Sequence, residues 1–489
     1  MSQQNHTKRD HEDNHKQQAT TLPPSNTPRR IPLTLFLLSG CISVTLYYFG
    51  DVGHSLASGT ATVVVALQQA LVTLILGLWG SAAIVSPPFG FPASGNGLWY
   101  SEPAVNWSMQ YLPIGNGYLG AMINGDPISD RVQLNIESLW TGGPFADPVR
   151  LVISLMPRRG LFCMQNYNGG NHQPSEQSYL ASELDRIRNT IFTSSNGTIP
   201  GVEPLPVYPG AYGSYSGAGY LNINRTASGN FTNYARWLDM DHAVLKTIWT
   251  EPSGSFNRTY FCSNPTRACT VHTISSAPGG FTANFSFSSL LGLPTPNITC
   301  LDTSTIQLRG YVGSPGMLYE ILGTMQQAGP SNSTGRCTLD ANSGDAVLVV
   351  NGSTEAWVSW VGGTEYSMEA GNAASGYTFK GVDPHNGLTA LLMKATAQNM
   401  VTALATHIAD YRSALGEFSL NIGQKFDSSK NTAELRKEYK TDIGNPYLEW
   451  LLFNYGRYML VGSTRSYLPA NLQGVWARDN STPWSGGLY

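Results

Sequence analysis

The chain reads as a large β-rich domain followed by helices. Three observations predict that order. From Leu98 to about Asp383, short apolar or alternating runs are separated by clusters of Gly, Pro, Asn and Ser, which is the signature of many strands and turns. After Asn386 the apolar spacing changes to that of helices. Charged residues make up only 12% of the chain while Gly, Ser, Thr, Asn and aromatics are plentiful, the balance of a β-rich extracellular protein. Strands and helices in separate blocks mean separate domains.

Residues 1–30 are polar, with Pro23, Pro24 and Pro28, and bury no core; this tail is expected to be disordered and cytosolic. Residues 31–86 form an apolar anchor or signal region. Ile31 to Phe49 follows Arg29-Arg30 as an uncharged run of about the twenty residues that one helical bilayer crossing needs. A second apolar stretch from Ala61 to Val85 ends near Ser81-Ala82-Ala83, a sequence suited to signal-peptidase cleavage. Two spans would return the rest of the chain to the cytosol. Against that stand the ten Asn-x-Ser/Thr sequons beyond the apolar region, at Asn106, Asn196, Asn224, Asn230, Asn257, Asn284, Asn297, Asn332, Asn351 and Asn480. The expected location is therefore the secretory pathway, membrane-anchored in type II orientation through the N-terminal apolar segment, or secreted.

Beyond the apolar region stand Cys163, Cys262, Cys269, Cys300 and Cys337, with no C-x-x-C pair and no His at zinc spacing. Two disulfides and one free thiol suit an oxidising compartment. Cys262 with Cys269 and Cys300 with Cys337 are plausible couples because each flanks a turn or hairpin region, although spacing does not fix connectivity. A formal net charge of −3 makes nucleic acid an unsuitable partner. Neither a metal site nor a cofactor is indicated.

Within the β-rich part, 97–383, strands are expected at Thr270–Ile274, Phe281–Phe287, Thr305–Leu308, Ala346–Val350 and Ala356–Trp360. So many strands call for a double-sheet domain. The tyrosine-rich stretch 208–220, which includes Tyr212, reads as a loop. A linker of one or two amphipathic helices is expected in 384–430, from Leu388 to Leu415, and a second helical block in 431–489. There Thr432–Tyr439 reads as a short charged helix, and Asn445-Pro446 as the cap of a helix over Tyr447–Gly462.

Pro113-Ile-Gly-Asn-Gly-Tyr-Leu-Gly-Ala121 is Gly-rich but lacks the spacing that cradles phosphate. Gln133-Leu-Asn-Ile-Glu-Ser-Leu-Trp-Thr-Gly-Gly-Pro144 combines amides, a carboxylate and a tryptophan, types that bond sugar hydroxyls and pack on a sugar's C–H face. Together with Tyr234–Ala243, Arg258–Cys262, His407–Tyr411, Leu452–Tyr458 and above all Leu468-Pro-Ala-Asn-Leu-Gln-Gly-Val-Trp476, these blocks resemble the α-L-fucosidases of glycoside hydrolase family 95.

The resemblance covers roughly Leu98 to Tyr489 and implies a β-super-sandwich, a helical linker and the first helices of an incomplete (α/α)6 barrel. It implies inverting hydrolysis of terminal α-linked fucose without a metal, on a fucosylated oligosaccharide or glycan. Inversion needs an acid on the leaving oxygen and a base for water on the other face. In this family the base is an Asn-x-Asn asparagine activated by an aspartate, opposite a glutamate acid. That motif is expected after Tyr489, so no catalytic residue is assigned in this chain, and the fragment is expected to be inactive. A non-catalytic carbohydrate-binding module and a related α-galactosidase are the alternatives.

Asn471, Gln473, Trp476 and Trp484 are the substrate-binding candidates, because their block leads into that motif. Holding a buried loop's backbone is the competing role for Asn471 and Gln473. Glu137 is read as structural or loop-positioning, Glu449 as a solvated or capping side chain, and Tyr455 and Arg457 as helix packing.

Overall fold

The computed structural model describes residues 86–140, 177–195, 215–313, 316–375, 378–469 and 471–479, all within the unit Ile84–Tyr489. The polar tail, both apolar segments, Cys163, Tyr212, Trp484 and the sequons at Asn196 and Asn480 lie outside the described residues. Among the described residues no helix is long and apolar enough to cross a membrane.

Alternation of side chains organises the β-region. In Phe281–Ser288 the odd-numbered Phe281, Ala283, Phe285 and Phe287 are buried, while Asn284 between them is exposed. The first strands are β1 (Gly97–Tyr100), β2 (Leu112–Gly115), β3 (Leu119–Ile123), β4 (Ser129–Trp140), β5 (Tyr215–Arg225), β6 (Thr232–Asp239), β7 (Val244–Glu251) and β8 (Gly254–Ser263). They are followed by β9 (Ala268–Ser275), β10 (Phe281–Ser288), β11 (Asn297–Cys300), β12 (Thr305–Tyr311), β13 (Leu318–Ala328), β14 (Thr334–Leu339), β15 (Ala346–Ser353) and β16 (Glu355–Thr364). A nine-stranded sheet runs β1-β6-β7-β8-β9-β16-β13-β12-β11, and a seven-stranded sheet runs β14-β15-β10-β5-β4-β3-β2. Both sheets contribute to one hydrophobic core, with Val132, Leu221 and Phe285 from the smaller and Trp249, Tyr260 and Val271 from the larger.

Charged groups are buried within this sandwich, and they join one sheet to the other. Asp130 of β4 accepts from Arg258 of β8 at 2.9 Å, from the Tyr260 hydroxyl and from the Gly125 amide. Burial raises the Asp130 carboxyl, and those bonds oppose it. Arg225 of β5 pairs with Glu251 of β7, and both Arg225 and Arg258 lie over the Trp249 ring. Disulfides join Cys262 to Cys269, which are register partners on β8 and β9, and Cys300 to Cys337, which tie the edge strand of the larger sheet to that of the smaller.

Helices complete the described residues: α1 (Trp107–Gln110), α2 (Gln177–Thr193), α3 (His385–Thr396), α4 (Met400–Leu415), α5 (Thr432–Glu438) and α6 (Pro446–Ser463). The α2 helix is not among the expected elements. Its sequence carries Leu180, Leu184, Ile187 and Ile191 at helical spacing, an amphipathic signal the strand-rich reading of this region did not use; of its described side chains Ile187 alone is buried, and the pairs Glu183–Arg186 and Asp185–Arg188 lie on its surface. The α3 helix packs Leu388, Leu392 and Ala395 on Leu322 and Val361 of the larger sheet.

The other helices dock through buried polar groups on strand-domain carbonyls. His407 bonds the Ala243 carbonyl at 3.0 Å, and burial pushes its imidazole down to about 4, so it is neutral at physiological pH. Tyr411 donates to Met240, Tyr447 to Gly95 and Tyr458 to Pro113. The start of α6 is capped by Asn445, whose side chain accepts from the Leu448 amide, with Pro446 in its first turn. Its opposite face leaves Leu452 and Leu460 exposed.

The inter-sheet pair yields a direct expectation. Asp130→Asn leaves the Arg258 charge without its counter-ion in the core, so denaturant titration is expected to show a loss of roughly 3–5 kcal/mol. A loss below about 1 kcal/mol, as for surface pairs, would contradict the pairing.

Candidate functional site

The β4 strand is buried on both faces. Val132, Leu134 and Ile136 fill the sandwich core, while Gln133, Asn135 and Glu137 form a polar column on the other face. That column is covered by the strap of residues 464–479 that follows α6. The sequence of β4 over 132–137, apolar at even and polar at odd positions, carries the period-2 signal of a strand.

The strap is fastened to the column mainly by its backbone carbonyls. Gln133 donates its amide to the carbonyls of Ala477 and Arg478 and accepts the Trp107 indole N–H, so all its bonding is engaged. Asn135 donates to Ala477 at 3.3 Å, the Tyr215 hydroxyl to Val475 at 3.0 Å, and the Gly217 amide to Asp479 at 3.2 Å. At the other end Ser466 donates to Glu137, and Arg465 grips Asp410 of α4.

Close approach explains the Gly-rich block as well. A Cβ on Gly115 would lie 2.6 Å from the Gly462 carbonyl, and one on Gly120 would lie 2.9 Å from that of Val475. Those glycines admit α6 and the strap rather than a phosphate.

The strap's side chains differ from its backbone. Trp476 is 3% exposed, gives its indole N–H to the Ile114 carbonyl at 3.0 Å and packs with Met122 and Val475. It holds the junction and presents no face for a sugar. Asn471 and Gln473 are half-buried, and the Asn471 Oδ1 and both Gln473 amide atoms are buried without a partner. Neither side chain bonds the loop backbone. The Asn135 Oδ1 and Glu137 Oε1 are likewise unpartnered. Buried polar atoms are nearly always paired, so five unpartnered atoms on four residues of β4 and the strap single out these two segments among the described residues. Burial pushes the Glu137 carboxyl up to about 7, with the Ser466 bond opposing and no cation contributing.

The remaining candidates are placed elsewhere. Glu449 accepts from the Asn445 amide and from Tyr439, so it caps α6. Tyr455 stacks with Tyr458, and Arg457 donates to the Leu415 carbonyl and lies over Phe418. Trp140 lies against Tyr215 with ring centroids 5.5 Å apart. Among the described residues no three His, Cys, Asp or Glu side chains gather to hold a metal ion.

Two family models match the chain: the glycosyl hydrolase family 65 N-terminal domain over residues 98–369 and the glycosyl hydrolase family 95 catalytic domain over residues 399–489. The first match covers more than half of the chain, which therefore belongs to the glycosyl hydrolases that carry this N-terminal domain, and residues 399–489 are similar to the family 95 catalytic domain. It is 32% identical over 422 residues to a protein of Aspergillus niger named probable alpha-fucosidase A, covering 85% of this chain and 49% of that protein. Its namesake in Aspergillus oryzae is 30% identical over 81% of this chain and 52% of its own length. Alpha-L-fucosidase 2 of Arabidopsis thaliana is 27% identical, over 80% of this chain and 45% of its own. The chain thus spans about half the length of the curated relatives it matches. The strap lies in the segment matched to the catalytic domain, and the polar column in the segment matched to the N-terminal one.

The fastening is testable. Gln133→Ala orphans two strap carbonyls and the Trp107 N–H. Amide exchange over residues 473–479 is expected to accelerate about thirty-fold, the equivalent of roughly 2 kcal/mol of local opening. Unchanged exchange would show that the column does not hold the strap.

Proposed function

We propose that this chain serves an inverting α-L-fucosidase, acting on terminal α-linked fucose of an oligosaccharide or glycan, and that its own part is to bind and shape the sugar site. The observation that carries the reading is the set of unpartnered amide atoms at Asn471 and Gln473, on a strap in the catalytic-domain match. The names of the Aspergillus and Arabidopsis relatives support fucose as the sugar. Hydroxyl-rich ligands are recognised by such amides.

The family's acid, base and activating aspartate have no counterpart assigned in this chain, so the chain alone is proposed to bind without turning over. The assay is to mix the purified chain with a fucosyl-α-1,2-galactoside and follow both binding and fucose release. Saturable binding without release is the expected result. Release above the buffer rate would overturn the assignment of catalysis to groups outside this chain. Binding that favours an α-galactoside over the fucoside would point to the related specificity instead.

A secretory location is proposed with this activity. Of the eight sequon asparagines among the described residues, Asn106, Asn224, Asn230, Asn284, Asn297, Asn332 and Asn351 are exposed and Asn257 is half-buried. Exposed acceptors and two disulfides suit lumenal maturation. Enzymatic removal of N-glycans from the protein made in a eukaryotic host is expected to lower its mass; an unchanged mass would contradict the location.

A further inference from the structure

Glu137 differs from the other buried carboxylates of this protein. Asp130 has Arg258, Tyr260 and the Gly125 amide; Glu251 has Arg225, the Trp249 indole and Ser228; Glu320 has Arg309 and His385. Glu137 is 9% exposed and receives a single hydroxyl, that of Ser466, on Oε2, while its Oε1 has no partner. A glutamine would accept from Ser466 equally well and would avoid the cost of burying an ionisable group. Its neighbour on the same strand face, Asn135, is 1% exposed and has its amide N–H on Ala477 but nothing on Oδ1. The fastening of the strap therefore accounts for one half of each side chain and leaves an acceptor oxygen unused on both.

Asn471 and Gln473 stand in the part of the strap between its two fastenings, at Ser466 and at Val475. Phenols surround Glu137. The Tyr118 carbonyl accepts its amide, and its charge is felt by Tyr215, Tyr366 and Tyr467, of which Tyr467 is 60% exposed. Acceptor oxygens beside aromatic side chains suit a polyhydroxyl ring. A carboxyl without a cation disfavours an anionic one.

We propose that the seam between β4 and the strap is a subsite for a neutral sugar residue, in which Glu137 and Asn135 accept hydroxyls from the β-domain side while Asn471 and Gln473 contact it from the strap. This rests on the glycan reading given above and adds the β-domain wall to it. Both β4 residues are binding residues here, and no proton transfer to the ligand is assigned to them.

The test is calorimetric titration of the chain with a fucosyl-α-1,2-galactoside at about pH 6 and about pH 8, spanning the Glu137 transition. Among the groups facing it, the phenols of Tyr215, Tyr366 and Tyr467 are raised by burial, with Arg267 and Glu369 lying beyond Tyr467; Glu137 is the one that changes charge in this window. An ionised carboxyl is the better acceptor, so wild-type affinity is expected to rise with pH. Glu137→Gln, which keeps the Ser466 bond, is expected to weaken binding about ten-fold at the higher pH and to abolish the pH dependence. Ser466→Ala removes the fastening alone and is expected to keep that dependence.

If Glu137→Gln binds as wild type does while Asn471→Ala or Gln473→Ala loses the ligand, the β-domain wall is wrong and the glycan reading stands. If the wild-type chain binds no sugar at either pH, both fall. Thermal melts of each variant separate lost binding from lost folding.

Discussion

Everything near the candidate site depends on β4 being buried on both faces. A strand with one wet face alternates apolar with polar residues, and the polar ones are satisfied by water. Here the polar face is covered by the strap, so Gln133, Asn135 and Glu137 must find partners within the protein. Two of them find strap carbonyls, and this makes a stretch more than three hundred residues away in sequence part of the same structure. The glycines at 115 and 120 follow from the same constraint, because any side chain there would hold α6 and the strap away from the sheet.

The position of β4 is in turn fixed by the sandwich. Asp130 lies at the start of the strand and is held by Arg258 of the opposite sheet, while Val132, Leu134 and Ile136 enter the shared core. Since successive side chains point to opposite faces, this register alone sends Gln133, Asn135 and Glu137 outward. A slip of one residue would bury the amides in the core and present the aliphatic residues to the strap. Arg225 with Glu251 makes a second inter-sheet link in the same region, so the register is held by charge as well as by apolar packing.

Much of this architecture was legible in the sequence. Phe281 to Phe287 announces a strand through alternation, Ala346 to Val350 through a short apolar run rich in valine, and Asn445-Pro446 announces the start of α6 through capping chemistry. The α2 helix was equally legible, since Leu180, Leu184, Ile187 and Ile191 keep helical spacing inside a region whose Gly- and Pro-rich surroundings read as strands and turns. At the site, residue types singled out two blocks, 133–144 and 468–476, and the structure joins the first to the residues that follow the second, Ala477 and Arg478, through contacts that those types do not announce. Trp476 has the composition of a sugar-stacking residue and lies instead in the junction's core, because the glycines facing it let the sheet close over its ring. Glu137 reads in sequence as structural or loop-positioning. Only three-dimensional placement shows that it has no partner in space beyond Ser466.

The way the strap is fastened bears on how a binding loop can be both ordered and free to bind. A loop held through its side chains exhausts the groups it would offer to a ligand. Here the column's side chains bond the strap's main-chain carbonyls at Ala477 and Arg478, Tyr215 takes that of Val475, and the Asn471 and Gln473 amides remain unengaged. Ordering the loop before a ligand arrives removes part of the entropic cost of binding. The Asn471 Oδ1 and both Gln473 amide atoms are then left buried and unpaired in the free protein. An unpaired buried amide is unfavourable in the free protein, and its pairing on ligand arrival recovers that loss, which favours hydroxyl-bearing ligands over apolar ones of the same shape.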